Sequence, residues 1–247
     1  MRVLALSDLH IRSPEDPSYR SLLRALEGAA PEDLVVLAGD IFDLWVGAKS
    51  IFEERYREFL AVVARLDAQG TSIHYIEGNH DFHLTEVFKS LKRLQVVDEE
   101  VVLECGGRRL YIAHGDRIDL QDYAYRALRF FFRSPLFAGF VRFAPDSWIE
   151  AIGQSSSSLS RAQHPPTLED LPAAVRQRIR KLYRGFAMEK GREGFDYVIL
   201  GHCHDLDEKH FTVSGRPVQY LNMGFPPKHG SYLRWEVGEA KFQRVVF

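Results

Sequence analysis

Asp8-Leu9-His10, Gly39-Asp40, Gly78-Asn79-His80-Asp81, His114-Gly115-Asp116 and Gly201-His202-Cys203-His204 gather carboxylate, amide and imidazole side chains into five short, separated motifs. Those residue types suit hydrolysis of a phosphoester or pyrophosphate. The anionic oxygens of such a group repel a nucleophile, and the leaving oxygen develops charge. Two divalent cations roughly 3.5–4 Å apart answer both problems by activating water and clamping the attacked group. A bridging carboxylate is then needed, and Asp40 is the candidate. Asp8, His10 and His204 form a set for one ion, and Asn79, His114 and His202 a set for the second. In an extended Asp8-Leu9-His10 segment alternate side chains point the same way, so Asp8 and His10 reach one ion together. Imidazole-rich ligation of this kind suits manganese, iron or zinc more than magnesium or calcium. His80 directly follows a candidate ligand and is expected to face the substrate phosphate, donating to a phosphoryl oxygen or protonating the leaving group. Asp81 is the candidate carboxylate to orient it, and Asp116 to do similar work near His114.

Each motif follows an apolar run that reads as a buried strand: Val3–Leu6, Leu34–Ala38, Ile73–Ile76, Leu110–Ala113 and Val198–Leu200. Strand ends therefore deliver the polar groups to one rim, where open α/β sheets bind their ligands. Helical spacing of Leu22, Leu23 and Leu26, and of Phe59, Leu60, Val63 and Leu66, places helices between the early strands. Such alternation predicts parallel strands joined by right-handed crossovers. Beyond Val101 three hairpins are expected, about Gly106-Gly107, Ser214–Pro217 and Gly238-Glu239, building a second and more antiparallel sheet. The fold class that results is α/β, a four-layer αββα sandwich of two mixed sheets in one domain, residues 1–247. Residues 119–194 break the alternation and read as a helical insertion. On a helical wheel Tyr125, Leu128, Phe131 and Phe132 share one side and Arg126, Arg129 and Arg133 another. Ser134-Pro135 starts a second helix, and Thr167 with Asp170 is expected to cap a basic helix through Arg176, Arg180 and Arg184. The aromatic stripe serves either packing or contact with an apolar substrate or lipid, and the arginines either solvation or contact with headgroups.

With 45% hydrophobic residues in 247, the chain can build one sizeable core. Thirty-two Lys+Arg against 34 Asp+Glu give a formal charge of -2, which lends no support to nucleic-acid binding. Cys105 and Cys203 lack Cys-x-x-Cys spacing, and Cys203 reads as a spacer between two ligands. His74, His83, His164, His210 and His229 lack a partner motif and read as structural. With no apolar leader and no stretch of the roughly 18–20 apolar residues that span a membrane, the expected location is cytoplasmic, at most peripheral on the membrane surface. The sequence does not indicate an oligomeric state.

Taken in order, Asp-x-His, Gly-Asp, Gly-Asn-His-Asp, His-Gly-Asp and Gly-His-x-His resemble the calcineurin-like metallophosphoesterase superfamily. The resemblance implies the four-layer sandwich, a dinuclear metal centre and in-line attack without a covalent phosphoenzyme. Within that superfamily, Gly39-Asp40-Ile41-Phe42-Asp43-Leu44-Trp45, the Asp122 and Tyr125 that follow His114-Gly115-Asp116, and the aromatic insertion are similar to the UDP-2,3-diacylglucosamine diphosphatases of lipid A synthesis. That similarity implies manganese, a nucleotide-linked glycolipid substrate cleaved to UMP and an acylated sugar phosphate, and work at the inner face of the cytoplasmic membrane. By the same similarity Asn79, His80, Asp122, Tyr125 and Arg161 become candidate substrate-binding residues. The chain departs from that family in carrying His80 where arginine is usual, and in lacking the insertion's usual lysines. His80 keeps open a second reading, a soluble phosphodiesterase or phosphatase with a small or nucleotide substrate. A third, a non-catalytic scaffold on the same fold, is opposed by the retention of every candidate ligand.

Overall fold

Apolar runs long enough for one strand each, punctuated by glycine and aspartate, set the first half of the molecule. The computed structural model describes residues 1–149, 151 and 167–247. Strands β1 (Arg2–Leu6), β2 (Leu34–Ala38), β4 (Ser72–Ile76) and β6 (Leu94–Val97) lie parallel, in the order β1-β2-β4-β6. Helices α1 (Pro17–Glu27) and α3 (Arg57–Gln69) make the crossovers. Strand β6 was not anticipated from the sequence. Short β3 (Trp45–Val46) and β5 (Asp81–Phe82) pair with one another, flanked by α2 (Ser50–Arg55) and α4 (Thr85–Phe88).

The second sheet runs β10-β11-β9-β8-β7, from β7 (Glu100–Cys105), β8 (Arg108–Ala113), β9 (Tyr197–Leu200), β10 (Glu208–Val213) and β11 (Arg216–Asn222). Two of the expected hairpins, β7-β8 and β10-β11, build it, with β9 parallel to both β8 and β11. The third, β12 (Ser231–Glu236) with β13 (Gln243–Val246), instead joins the first sheet, β12 pairing antiparallel with β1. Hydropathy defines a strand but not which edge it closes.

Alternation along each strand explains the layers. Leu4, Leu6, Val35 and Leu37 face α1 and α3, in a core completed by Tyr19, Leu22, Phe59 and Val63. Val3, Ala5, Val36 and Ala38 face the other sheet and meet Leu110, Ile112, Ile199 and Leu221. The outer face of the second sheet, Tyr111, Val198 and Leu200, packs on Tyr183 and Ala187 of α7 (Ala173–Arg192). Strands buried on both faces read as continuous apolar runs, which is why they were visible.

Within residues 119–194, α5 (Tyr123–Phe132) is capped by Asp122, which accepts from the Tyr125 N–H at 2.9 Å, and α6 (Pro135–Phe143) by Ser134. Thr167 does not cap α7. Its hydroxyl meets Asp170 inside the single 3-10 turn Leu168–Asp170, and α7 starts after Pro172. Whereas α7 forms the outer layer of the second sheet, α6 adds Phe137 and Val141 to the core on the first sheet, with Phe132 of α5 packed against it. No residue of α5 is buried. Phe132 and Phe137 pack near Phe82, while Tyr123, Phe130, Leu136, Phe143 and Trp148 remain exposed. Helix α8 (Pro226–His229) comes after β11.

Candidate metal centre

Just beyond the strand ends the backbone leaves the extended conformation. Asp8, His10, Asp40, His202 and His204 all adopt positive φ, from 45° to 65°. Left-handed backbone at a residue with a Cβ costs energy, and it persists only where surrounding bonds hold it. Here the Asp8 and His10 N–H groups donate to Gly39 O and Asp40 O, at 3.1 and 3.0 Å, stitching the β1 and β2 loops together. The expectation of an extended Asp8-Leu9-His10 segment is corrected: the two side chains converge through left-handed turns and not through strand alternation.

The donor atoms cluster in two overlapping groups. His10 Nε2 and His204 Nε2 lie 3.1 Å apart, and His204 Nε2 is 3.4 Å from Asp8 Oδ1. His114 Nε2 lies 3.2 Å from Asn79 Oδ1 and 3.3 Å from His202 Nδ1. Between them Asp40 Oδ2 stands 3.7 Å from His10 Nε2 and 3.4 Å from His114 Nε2. Asp8, Asp40 and His114 are buried. His114 Nδ1 faces the Ala38 carbonyl at 3.0 Å, and since a carbonyl only accepts, Nδ1 carries the proton. Its Nε2 is thereby turned into the cluster, the usual arrangement of a metal-binding imidazole.

Glycines before the donors are required by space. A Cβ on Gly78 would sit 2.2 Å from Asp40 Oδ1, and one on Gly201 2.5 Å from Asp8 Oδ2. Electrostatics favour cationic charge in the centre. Burial works against charge on His114, yet the Asp40 carboxylate beside it raises that imidazole to about 10. Burial likewise opposes ionisation of Asp40, but His114 and His80 hold it well below the usual carboxylate range. Burial, reinforced by the charge on His114, pushes His202 down to about 4. Imidazole and carboxylate lone pairs converging within hydrogen-bond range, around a carboxylate that stabilises positive charge, fit a site for divalent ions. Among the described residues three overlapping groups of side chains meet that description: Asp8, His10, His204; His10, Asp40, His80; and Asp40, His114, His202.

The other candidates divide. His80 donates its backbone N–H to Asp40 Oδ1 at 2.9 Å, and its Nδ1 lies 3.0 Å from the Asp43 carbonyl, leaving Nε2 for another partner. Asp81 does not orient it. The buried Asp81 carboxylate accepts the N–H groups of Gly78, Asp40 and Ile41 and the Tyr75 hydroxyl, at 2.7–2.9 Å. Burial, with the charge of Asp40 nearby, pushes it up to about 6. Asp116 is not bonded to His114; it accepts from Tyr125 Oη and Arg129 Nε, each at 2.7 Å. Asp122 is occupied in capping α5, while the Tyr125 ring stands 5.7 Å from that of His202, at the rim. Arg161 and His164 lie outside the described residues.

Asn222, Phe225 and the partners of Arg180 and Arg184 lie outside the five motifs. Asn222, fully buried at the end of β11, donates to Gly201 O at 2.9 Å and accepts from the Asp205 and Gly224 N–H groups, bracing the His202–His204 loop. Phe225 stacks on His204 at 4.7 Å. Arg180 and Arg184 of α7 form two-pronged pairs with buried Asp205 and Asp207, at 2.5–2.7 Å, just beyond that loop. The i, i+4 arginines and the Asp-x-Asp after His204 were the available signal.

A sandwich whose strand ends carry this donor set is a metal-dependent phosphoester hydrolase. The calcineurin-like phosphoesterase profile matches residues 1–206, and the chain belongs to that family. It is 27% identical over 228 residues to a UDP-2,3-diacylglucosamine hydrolase of Nitrosococcus oceani, covering 91% of this chain and 87% of that one. Against the enzyme of the same name from Aeromonas salmonicida it is 28% identical over 256 residues, covering 99% and 93%. Among solved structures, an archaeal phosphodiesterase aligns over 100% of both chains at 15% identity and a TM-score of 0.49.

Proposed function

We propose that this hydrolase cleaves the pyrophosphate of UDP-2,3-diacylglucosamine to UMP and 2,3-diacylglucosamine 1-phosphate. Asp8, His10 and His204 would hold one divalent ion and Asn79, His114 and His202 a second, with Asp40 shared, and manganese before iron or zinc would fill them. The observation that carries this reading is that α5, whose Tyr125 ring lies 5.7 Å from that of His202, leaves Tyr123 and Phe130 exposed, and that α6 after it leaves Leu136 and Phe143 exposed. Exposed apolar side chains on a helix that borders a polar site, and on the helix after it, suit a substrate that carries acyl chains and a lipid surface that presents them. The names of the relatives agree with it. Among the described residues no helix is long and apolar enough to cross a membrane, so attachment to the inner face of the cytoplasmic membrane is peripheral in this reading.

Divalent ions bound there supply Lewis acidity to a phosphoryl oxygen and lower the pKa of water. The chain's own groups do the rest. Asp40 is fixed through Oδ1 by the His80 N–H, which leaves Oδ2 directed at both imidazole sets. As a bond forms from water oxygen to phosphorus, the bridging P–O bond breaks, its electron pair stays on the leaving phosphate oxygen, and the proton of the attacking water passes to solvent. His80 Nε2, opposite the nitrogen held by Asp43, donates to the phosphoryl or leaving oxygen. UMP release from detergent-dispersed substrate by manganese-loaded protein, with Asp40→Ala as control, tests the reading. His80 itself favours a second reading, a soluble phosphodiesterase, since imidazole replaces the arginine usual in the lipid-directed family; hydrolysis of an aryl phosphodiester without UMP release from the lipid would select it.

A further inference from the structure

The turn that carries Asn79 and His80 is gripped from two sides. Inside, Asp81 collects the Gly78 N–H; outside, Arg133 at the C-terminal end of α5 donates through Nη2 to the carbonyls of Gly78 at 2.9 Å and Glu77 at 3.2 Å. Its Nη1 pairs with Glu77 Oε2 at 2.5 Å and with Asp98. The other Glu77 oxygen accepts the Leu84 N–H at 2.6 Å, so the arginine docks on a group that is already anchored. The Gly78 carbonyl belongs to the peptide plane that also carries the Asn79 N–H. A donor on that oxygen therefore fixes the plane from which Asn79 Oδ1 is aimed at His114 Nε2, 3.2 Å away. We propose that Arg133 is a positioning residue for the Gly78-Asn79-His80 turn, setting the reach of Asn79 into the metal centre. Its planar fork suits this task, because one guanidinium spans two carbonyls and two carboxylates at fixed angles. Arg129 and Tyr125, one and two turns earlier on the same face of α5, hold Asp116. The helix is thereby tied to a second candidate ligand loop, that of His114.

The inference rests on Asn79 being a metal ligand, and the test separates the two. Manganese affinity of metal-stripped full-length protein is measured by the electron paramagnetic resonance of free Mn2+, alongside melting temperature, for Arg133→Ala, Arg133→Lys, Asn79→Ala and Arg2→Ala. Arg2, in a comparable pair with Asp33 at the far end of β1, controls for general loss of stability. Arg133→Ala is expected to weaken manganese binding about 10–100-fold, the usual cost of losing a residue that orients a ligand. Lysine in its place is expected to recover melting temperature through Glu77 but not the affinity, since an ammonium lacks the fork. Wild-type affinity in Arg133→Ala, with Asn79→Ala weakened, overturns the positioning role alone; wild-type affinity in Asn79→Ala overturns the ligand assignment beneath it. Full recovery of affinity by lysine reduces Arg133 to a counter-ion of Glu77 and also overturns the inference.

Discussion

Asp81 accepts the backbone N–H of Asp40 at 2.9 Å, across 41 residues of sequence. The same carboxylate takes the Ile41 and Gly78 N–H groups, so one buried acid ties the ends of β2 and β4 and holds Asp40 in its left-handed turn. Asp81→Asn is accordingly expected to act on the centre from behind. An amide keeps one accepting oxygen and presents an NH2 to groups that themselves donate, costing about 1–3 kcal/mol for unsatisfied buried partners. Lowered melting temperature and weakened metal binding together are the expected result, measured by calorimetry and metal titration.

Asp40→Ala should abolish activity, with a loss larger than the roughly 10–100-fold typical of a supporting contact. His80→Ala should retain metal and lower turnover by roughly 10²–10⁴, the range for a lost proton donor. Metal content by plasma emission, read beside steady-state rates, checks the division; equal metal loss in both variants contradicts it.

Replacing Phe130 and Phe143 together by serine should leave melting temperature nearly unchanged, because both side chains are exposed at 80% or more. Under the lipid reading it should raise KM for detergent-dispersed UDP-2,3-diacylglucosamine and weaken sedimentation with anionic vesicles, while sparing an aryl phosphodiester.

Burial opposes ionisation of Asp33, but Arg2 and the Ala30 N–H hold its carboxyl below the ordinary range. A carboxylate depressed on folding contributes stability that is present above its unfolded pKa, about 4, and is lost as pH falls through the folded value. Arg2→Ala should therefore lower melting temperature at neutral pH by the equivalent of about 1–3 kcal/mol and narrow the gap to wild type below pH 4, as followed by circular dichroism.

Metal removal offers a further check. A ligand held only by the native state, at 100 times its dissociation constant, adds about 2.7 kcal/mol. Chelation should lower the melting temperature of wild type and leave Asp40→Ala almost unaffected.

Legibility followed burial and chain order. Val3–Leu6 and Leu34–Ala38 stood out as unbroken apolar runs because both of their faces are covered, and the polar residues at their ends could then be assigned to one rim. The inward turn of Arg129 and Arg133 was hidden, because a helical wheel assigns arginine to solvent while their partners, Asp98, Asp116 and Glu77, come from other elements. Adjacency suggested that Asp81 serves His80, yet the turn sends the two side chains to different neighbours. The left-handed φ of Asp8 and His10 carried no glycine to announce it.

The candidate donors come from both sheets: Asp8, Asp40 and Asn79 follow strands of the first, His114, His202 and His204 strands of the second. A chain with only the first sheet formed keeps the group His10, Asp40 and His80 but lacks His114, His202 and His204, and with them the other two groups. Hydrolytic competence then waits on correct stacking of the two halves, and a simple rate measurement doubles as a gauge of folding fidelity.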